Sequence, residues 1–453
     1  MLLIVLRNAL NAYIFRLKLA LTFAFCTVNY GFIHSTTTPI PDATFEQALI
    51  NLGIDTNGLN GNILNSDAFE IVTLSIANIG VTNLSGIEAF TSLKYLYAYN
   101  NNITVADFSS NPSLVVIDLE NNLVSSLDVT SCIQLQDVYI SANALTSIDM
   151  TNNLDLRVLS CNLNSLNSID VSLNTNLENL RCYGNNLSTI DVSNNPSLEY
   201  LFISGNNLTN LDVSSNSNLN TLTCDNNNLT TLDLTANTDL EYLGCSNNSL
   251  ASLDLSSNTN LTRLLCNNNS LTSIDVSNAE DLFLFYTMNN EIETINLTNN
   301  PSLRFFRAEN NDLNSVDVRN TSNNIITEFV VDQNPNLTCV IVDDTNASYL
   351  TNWVVDSSCH FVANEQECQT LTVEEDLVSN FMMYPNPATT QVTIALNAPK
   401  AQLKMYSMQG QFIFEKTLHE GNNTMDLSRL SSGVYLVTII SSNKTINKRL
   451  IVQ

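Results

Sequence analysis

A leucine opens every unit of a 21-residue repeat, at Leu93, Leu114, Leu135, Leu156, Leu177, Leu198, Leu219, Leu240, Leu261, Leu282 and Leu303. A degenerate unit opens earlier, at Ile71, and a last one opens near Ile326 after a two-residue insertion. A period of this length held over so many steps constrains the chain more than any single motif does. Each unit is too small to bury its own apolar face, so units must stack on one another. Counting the opening leucine as place 0, apolar residues at places 0, 3 and 5 alternate as a short strand requires, and identical strands from successive units should form one parallel sheet. Twenty-one residues leave no room for a full helix on the return path. The convex side is therefore expected to be extended or turn-like, with places 13 and 15 (Ile190 and Val192, for example) facing inward around an outward Asp191.

Three polar or sulfur-bearing columns follow from the same period. Place 8 is Asn in Asn101, Asn122, Asn143, Asn164, Asn185, Asn206, Asn227, Asn248, Asn269, Asn290, Asn311 and Asn334. An amide has both donors and an acceptor, so a buried column of them can satisfy the backbone where the chain leaves each strand. Place 14 is Asp in Asp107, Asp128, Asp149, Asp170, Asp191, Asp212, Asp233, Asp254, Asp275 and Asp317. A row of carboxylates could hold divalent cations. Side chains that all point outward do not converge on one ion, however, which favours a turn-stabilising role. Their mutual repulsion predicts a modest stabilisation by added salt. Cys161, Cys182, Cys224, Cys245 and Cys266 share place 5 with Leu, Ile and Ala, so they read as buried core fillers. Cys132 replaces the usual Asn at place 18 and is expected to be buried too.

Composition agrees with a repeat architecture. Charged residues are only 13% of the chain, leaving Asn, Ser and Thr to supply the polar surface. The net charge of −27 is uneven: the first 35 residues carry +3, the stretch from Phe381 onward +4, and the middle −34. So acidic a body excludes nucleic acid as a partner, because phosphate binding needs clustered Lys and Arg. Arg16 and Lys18 precede an apolar run from Leu19 to Cys26, which reads as an export signal within residues 1–37 and is too short to span a bilayer. No other segment reads as a transmembrane span, so disulfides are permitted in an exported chain.

Both ends of the stack need covers. Residues 38–70 should supply the first, with an amphipathic helix that begins at Asp42 as N-cap and stops at Gly53. The following stretch, Asp55 to Asp67, is similar to a calcium loop in its spacing of Asp55, Asn57, Asn60 and Asp67. It departs from that pattern by one inserted residue, by Leu59 at a ligand position and by Asp67 in place of Glu. A plain Asn-Gly turn explains it as well, and no metal or other cofactor is assigned from sequence. Residues 341–368, near Trp353, should cap the other end. A Cys339–Cys368 bond would pin that cap, with Cys359 as the alternative partner.

Binding residues are expected on the outward places 2, 4 and 6 of the strands. All eight tyrosines between Leu93 and Asn323 fall there: Tyr95, Tyr97, Tyr99, Tyr139, Tyr183, Tyr200, Tyr242 and Tyr286. Phe202, Phe305, Arg181, Arg263 and Arg307 join them. Tyr with Arg is the mixture enriched at binding hot spots, although Tyr also simply favours strands. Catalysis has little to stand on: His34, His360 and His419 lie in the leader, the cap and the tail, and no carboxylate pair is set apart as acid and base. The expectation is a non-enzymatic binding protein with no catalytic residues. Its ligand would be an unknown protein or glycan, and the alternatives are a carbohydrate-binding accessory protein or a structural surface-layer protein.

Two family resemblances rest on these residues. The unit L-x-x-L-x-(C/L/I/A)-x-x-N-x-L followed by "LDVS" or "LDLS" resembles the short, irregular bacterial leucine-rich repeat, over residues 71–340. After an acidic linker at 369–380, residues 381–453 carry "MYPNPATTQVTI", "MYSMQGQFI", "GVYLVTI" and "KRLIV". These resemble the type A sorting domain of the type IX secretion system, with Tyr384, Pro385, Asn386, Pro387, Gly410, Gly421, Leu430, Gly433, Tyr435 and Lys448 in the family's places. The resemblance implies export through that secretion machinery to the outer-membrane surface or the extracellular space, with the tail as a C-terminal antiparallel β-sandwich. The expected fold is mainly β: a leucine-rich-repeat solenoid with a parallel concave sheet, a short N-terminal helical cap and that β-sandwich.

Overall fold

The structure, a computed structural model, describes residues 36–368, 381–441 and 444–453. The leader up to residue 35 and the linker at 369–380 lie outside the described residues. The architecture is mainly β, a parallel-strand solenoid of about 14 turns with few helices and an antiparallel β region at its C-terminal end. Two compact units divide the chain, Met1–Leu219 and Asn220–Gln453.

In the first unit, α1 (Ala43–Asn51) starts at Asp42, whose carboxylate accepts the backbone N–H groups of Thr44 and Phe45. The other oxygen of Asp42 accepts from Thr82 N–H, Thr82 hydroxyl and Asn83 N–H, fastening the cap to the first turn of the repeats. A short antiparallel pair, β1 (Thr37–Pro39) and β2 (Asn62–Leu64), lies beside α1, and α2 (Asn65–Ala68) follows. Three-residue strands from Thr73–Ser75 to Tyr200–Phe202 then pair in parallel, each with its equivalent one repeat on, as in Asn179↔Tyr200 and Leu180↔Leu201. The second unit repeats the pattern from Thr221–Thr223 to Glu328–Val330.

Places 0, 3, 5 and 10 form the core: Leu177, Leu180, Cys182 and Leu187 are all fully buried. Burying one such side chain is worth roughly 1.5 to 3 kcal/mol, which is what stacking gains over an isolated unit. The convex side is extended or turn-like as expected, and it pairs as strands only near the ends, at Val105–Asp107 with Ser126–Asp128 and from Thr294–Asn296 to His360–Val362. Place 15 is buried throughout, whereas Ile190 at place 13 is only half-buried.

The place-8 amides act as the period predicts. Asn185 donates to the carbonyls of Cys161 and Cys182 at 3.1 and 3.0 Å, and its oxygen accepts Leu166 N–H at 3.0 Å. Two further Asn columns emerge. Place 7 takes a left-handed conformation, with φ near +55° at Asn100, Asn121, Asn226 and Asn247 and +65° at Gly184 and Gly205; Ala142, Leu163 and Gln333 depart from Asn and Gly in this column. At place 18, Asn153, Asn174 and Asn195 are fully buried and donate to two carbonyls of the preceding repeat. Cys132 stands in that column, and its thiol donates to the Phe108 and Asn111 carbonyls, both at 3.5 Å.

The place-14 carboxylates close turns. In each, the oxygen accepts the N–H two residues on, as in Asp191 with Ser193 at 2.9 Å. The Ser193 hydroxyl and N–H hold the Asp191 carboxyl below its usual range, against the charges of Asp212 and Asp170. The place-5 cysteines are buried free thiols, and burial raises Cys161 and Cys266 to about 12.

Toward the end of the second unit, place 3 changes from Leu to Phe285, Phe306 and Phe329, whose rings succeed one another at 5.5 and 5.3 Å. Trp353 stacks on Phe329 at 4.0 Å, and Val354 bridges Val330, so residues 348–354 cover the apolar end. Cys339 and Cys368 are disulfide-bonded across a Cα separation of 5.7 Å, and Cys359 is a free, half-buried thiol.

The tail forms one five-stranded antiparallel sheet built on a long hairpin, Gln391–Ser407 with Phe412–Asp426. A register shift between Leu396 and Lys400 divides the hairpin, and residues from both sides of it, Val392 and Ile394 with Leu403 and Met405, share one core. The motif residues serve as fasteners. Asn386 donates to the Arg449 carbonyl and accepts Ile451 N–H, both at 2.8 Å. Lys448 donates to the Phe381 carbonyl and lies 4.5 Å from the centre of the Phe381 ring. Tyr435 donates to the Ser431 carbonyl at 2.7 Å, and Tyr384 to Asn422 at 3.3 Å. Peptide bonds Tyr384–Pro385 and Asn386–Pro387 are cis, and Gly410 and Gly421 have positive φ. Gly433 opens the strand Gly433–Ser441.

Candidate binding face

Strand alternation decides what the face displays. Within Tyr95–Tyr97 the middle residue, Leu96, is fully buried, and Tyr95 and Tyr97 stand half-exposed on either side of it. All the tyrosines of places 2, 4 and 6 lie outward: Tyr95, Tyr97, Tyr99, Tyr139, Tyr242 and Tyr286 are half-buried, and Tyr183 and Tyr200 are exposed.

In the first unit three carboxylates absent from the sequence-based site accompany Tyr95, Tyr97, Tyr99 and Tyr139: Asp137 shares a strand with Tyr139, Asp118 stands in register between Tyr97 and Tyr139, and Glu120 follows two residues after Asp118. Among the described residues none of these four tyrosine hydroxyls has a hydrogen-bond partner. Burial, and the charge of Glu120 beside it, hold the Asp118 carboxyl above its usual range. Burial does the same at Asp137, where Arg157 acts in the opposite sense. Arg157 itself is engaged by Glu178 at 2.7 Å. Next along the unit is a buried polar floor. Ser141 and Ser160 hydroxyls lie 2.8 Å apart, and both reach the Asn162 side-chain oxygen, at 2.6 and 3.0 Å. The unit ends on an aromatic–cation group, with the Arg181 guanidinium 5.3 Å from the Phe202 ring centre and Tyr183 and Tyr200 exposed beside it.

In the second unit the same residue types engage one another. Tyr286 donates to Glu328 at 2.9 Å, and burial first, then Glu328, raises its phenol to about 12. Arg307 contacts Glu309 directly, sits 3.6 Å from Glu328 and lies over the Tyr286 ring at 6.0 Å. Earlier in the unit, Gly244 leaves room for the Asp225 carboxylate, which a Cβ there would meet at 2.8 Å; Asp225 in turn accepts Ser246 N–H. Tyr242 is half-buried over these groups, with its phenol raised by burial. Arg263 is exposed at the start of a recess of about 550 Å³ lined also by Phe283 and Arg304, and Phe283 packs edge-on against Phe305 at 5.2 Å.

The period located the outward tyrosines and arginines, but not the carboxylates and serines between them, because acidic and small polar residues occur throughout the repeat. Of the calcium candidates, Asp55, Asn57 and Asn60 lie in the loop after α1 and Asp67 lies on α2. Among the described residues, no group of three His, Cys, Asp or Glu side chains gathers as a metal site would.

Comparison with known proteins finds matches within both the repeats and the tail. A family model for the secretion system C-terminal sorting domain matches residues 382–453, and one for leucine-rich repeats in two copies matches residues 91–131. Among solved structures the chain is similar to the functional domain of InlJ from Listeria monocytogenes, described as including a cysteine ladder, with a TM-score of 0.61 at 23% identity over 92% of this chain and 99% of that one. It is also similar to an internalin (inlF) from Listeria monocytogenes, with a TM-score of 0.50 at 19% identity over 68% and 98%. A TDR receptor gives 0.51 at 19% over 66% and 57%. These identities show the fold alone. A comparison with curated proteins finds no match.

Proposed function

We propose, from the premise that this is a leucine-rich-repeat protein with a C-terminal secretion sorting domain, that it is a surface binding protein that grips a protein partner with the outward face of its parallel strands. The sorting domain directs it to the cell surface or the extracellular space, and no helix among the described residues is long and apolar enough to cross a membrane. One observation carries the reading: Tyr95, Tyr97, Tyr99 and Tyr139 stand outward with unpartnered hydroxyls beside Asp118, Glu120 and Asp137, carboxylates that form no ion pair among the described residues. Rigid amphipathic rings on a sheet lose little entropy on binding, and such residues dominate protein interfaces. The fold-level likeness to internalins supports an interaction role without naming a partner. Adhesion to host or neighbouring cells is the activity proposed, and no chemistry is assigned to the chain.

The test is attachment of the labelled full chain to intact cells. Wild-type chain should bind and saturate, and Tyr97→Ala with Tyr139→Ala should bind at least about thirtyfold more weakly with unchanged thermal stability. Equal binding by the double variant sinks the reading. A carbohydrate-binding role is the second reading, favoured by the pairing of tyrosine rings with Asp118, Glu120 and Asp137, since sugars stack on aromatic faces and offer hydroxyls to carboxylates. A glycan array distinguishes it: signal there that is lost in the same double variant moves the assignment from protein to glycan.

A further inference from the structure

The loop between α1 and α2 contains two buried oxygens, Asp55 Oδ2 and Asn57 Oδ1, without a hydrogen-bond partner of normal geometry. Asp55 is only 5% exposed; one carboxylate oxygen accepts Asn57 N–H at 3.0 Å, and the other, Oδ2, has no hydrogen-bond partner. Two residues on, Oδ1 of Asn57 is likewise buried and unpartnered, while its amide nitrogen donates to the Asn62 side chain at 3.0 Å. Burying an acceptor without a donor costs free energy, and burying a charged one costs more. The surroundings worsen that cost. Burial, together with the like charges of Glu46 and Asp67, holds the Asp55 carboxyl above its usual range against the N–H groups of Asn57 and Gly58. No ion pair of the described residues involves Asp55, Glu46 or Asp67.

The frame around these oxygens is a helix, a loop, a short strand and a second helix. Glu46, buried on α1, accepts the N–H groups of Asn60, Gly61 and Asn62, which fixes the loop from the helix side. Gly61 takes a φ of +81°, and Asn62–Leu64 then pair with β1. Counted from Asp55, with one residue inserted after Asn57, the left-handed glycine at Gly61 falls at the turn place of a twelve-residue calcium loop and Asp67 at its closing place. The orphaned oxygens of Asp55 and Asn57 fall at its first and third places.

We propose that this loop binds one divalent cation of the calcium type, with Asp55 Oδ2 and Asn57 Oδ1 as side-chain ligands. An all-oxygen donor set suits calcium better than zinc, whose sites are built mainly on nitrogen and sulfur. Because three acidic side chains do not converge, main-chain oxygens and water complete the shell, and affinity falls at the weak, extracellular end of the range, with Kd of roughly 10⁻⁴ to 10⁻³ M. A bound cation would tighten a cap that Asp42 already fastens to the first repeat through Thr82 and Asn83.

The experiment is calorimetric titration of the full chain, stripped with a chelator, with calcium chloride, paired with thermal melting. One equivalent should bind with Kd in the stated range and raise the Tm, with magnesium giving a smaller shift. Asp55→Asn keeps the acceptor for Asn57 N–H and should weaken calcium at least about tenfold without loss of folding by circular dichroism. If that variant does not fold, Asn57→Ala, which removes only the second orphaned oxygen and one amide bond, carries the comparison. Absence of heat and of a Tm shift up to about 10 mM calcium, ten times the weak end of the range, overturns the proposal. So does binding that survives both substitutions or that occurs in many equivalents, as a diffuse association along the Asp column would.

Discussion

The outward faces of the two units draw on the same residue types and use them differently. In the second unit Tyr286, Arg307, Glu309 and Glu328 engage one another, so that part of the face is tied by its own contacts, with one buried oxygen of Glu309 left without a hydrogen-bond partner. In the first unit Tyr95, Tyr97, Tyr99 and Tyr139 keep unpartnered hydroxyls, and Asp118, Glu120 and Asp137 face no cation beyond the engaged Arg157. A group satisfied within the fold stabilises the fold, whereas one left unsatisfied at the surface gains only when a partner arrives. Counting tyrosines and arginines on a face therefore says less about binding than asking which of them are already occupied.

That contrast can be broken most sharply by exchanging the kind of substitution between the units. Tyr97→Ala with Tyr139→Ala should cost about 2 to 4 kcal/mol of binding, roughly a thirtyfold loss or more, with the unfolding midpoint unmoved. In the second unit Arg307→Ala should do the reverse. It leaves Glu309, only 9% exposed, without its cation and should cost about 1 to 3 kcal/mol of stability in denaturant unfolding while cell attachment persists.

The scaffold beneath both faces should respond alike in either unit. Asn174→Ala in the first and Asn258→Ala in the second each strand two buried carbonyls, so each should destabilise by about 1 to 3 kcal/mol; a large disparity would show that the columns are not equivalent.

Acid should act through the Asp column. Asp128, Asp149, Asp170, Asp191, Asp212 and Asp254 all sit below the ordinary range because the following Ser or Thr hydroxyl and N–H bind the charged form. The stability they lend is present above their unfolded pKa of about 4 and is lost as pH falls through the lower folded values. Asp55, Asp118 and Asp137, raised in the folded state, act in the opposite sense, with a relative gain as pH falls through their folded values. With the column in the majority, melting at pH 7, 5 and 3 should show its drop in Tm only between the last two.

The smallest effect belongs to Leu163. It is exposed, and its left-handed φ of +55° occupies a place where most repeats put Asn or Gly. Leu163→Asn should stabilise by about 1 kcal/mol in denaturant unfolding, because the left-handed conformation costs a leucine more than an asparagine.

How much of this could be read from the chain depended on whether a residue's role is fixed by its place in the repeat. Leu180 and Cys182 had to be buried and Arg181 had to face outward once a parallel stack was inferred, because strand alternation allows nothing else. The place-7 asparagines were equally legible in principle, as Asn or Gly doublets such as Asn100–Asn101 and Gly184–Asn185, but a left-handed backbone leaves no mark on hydrophobic patterning. The substitution of Phe285, Phe306 and Phe329 for leucine is visible in the sequence. Its purpose, an aromatic stack ending on Trp353, needed the cap in place. The tail was legible through motif order, although the long hairpin with a register shift that supplies both sides of its core was not.

The sequence by itself determined the repeat, the buried columns, the outward row of tyrosines and the sorting tail, because stacking in register turns a period into geometry. Only the tertiary structure decided which outward groups are free and which oxygens of the Asp55–Asp67 loop go unsatisfied. Those outcomes depend on distances of a few ångströms between residues about 21 places apart or outside the repeat, and hydrogen bonding and desolvation at that range leave no periodic trace.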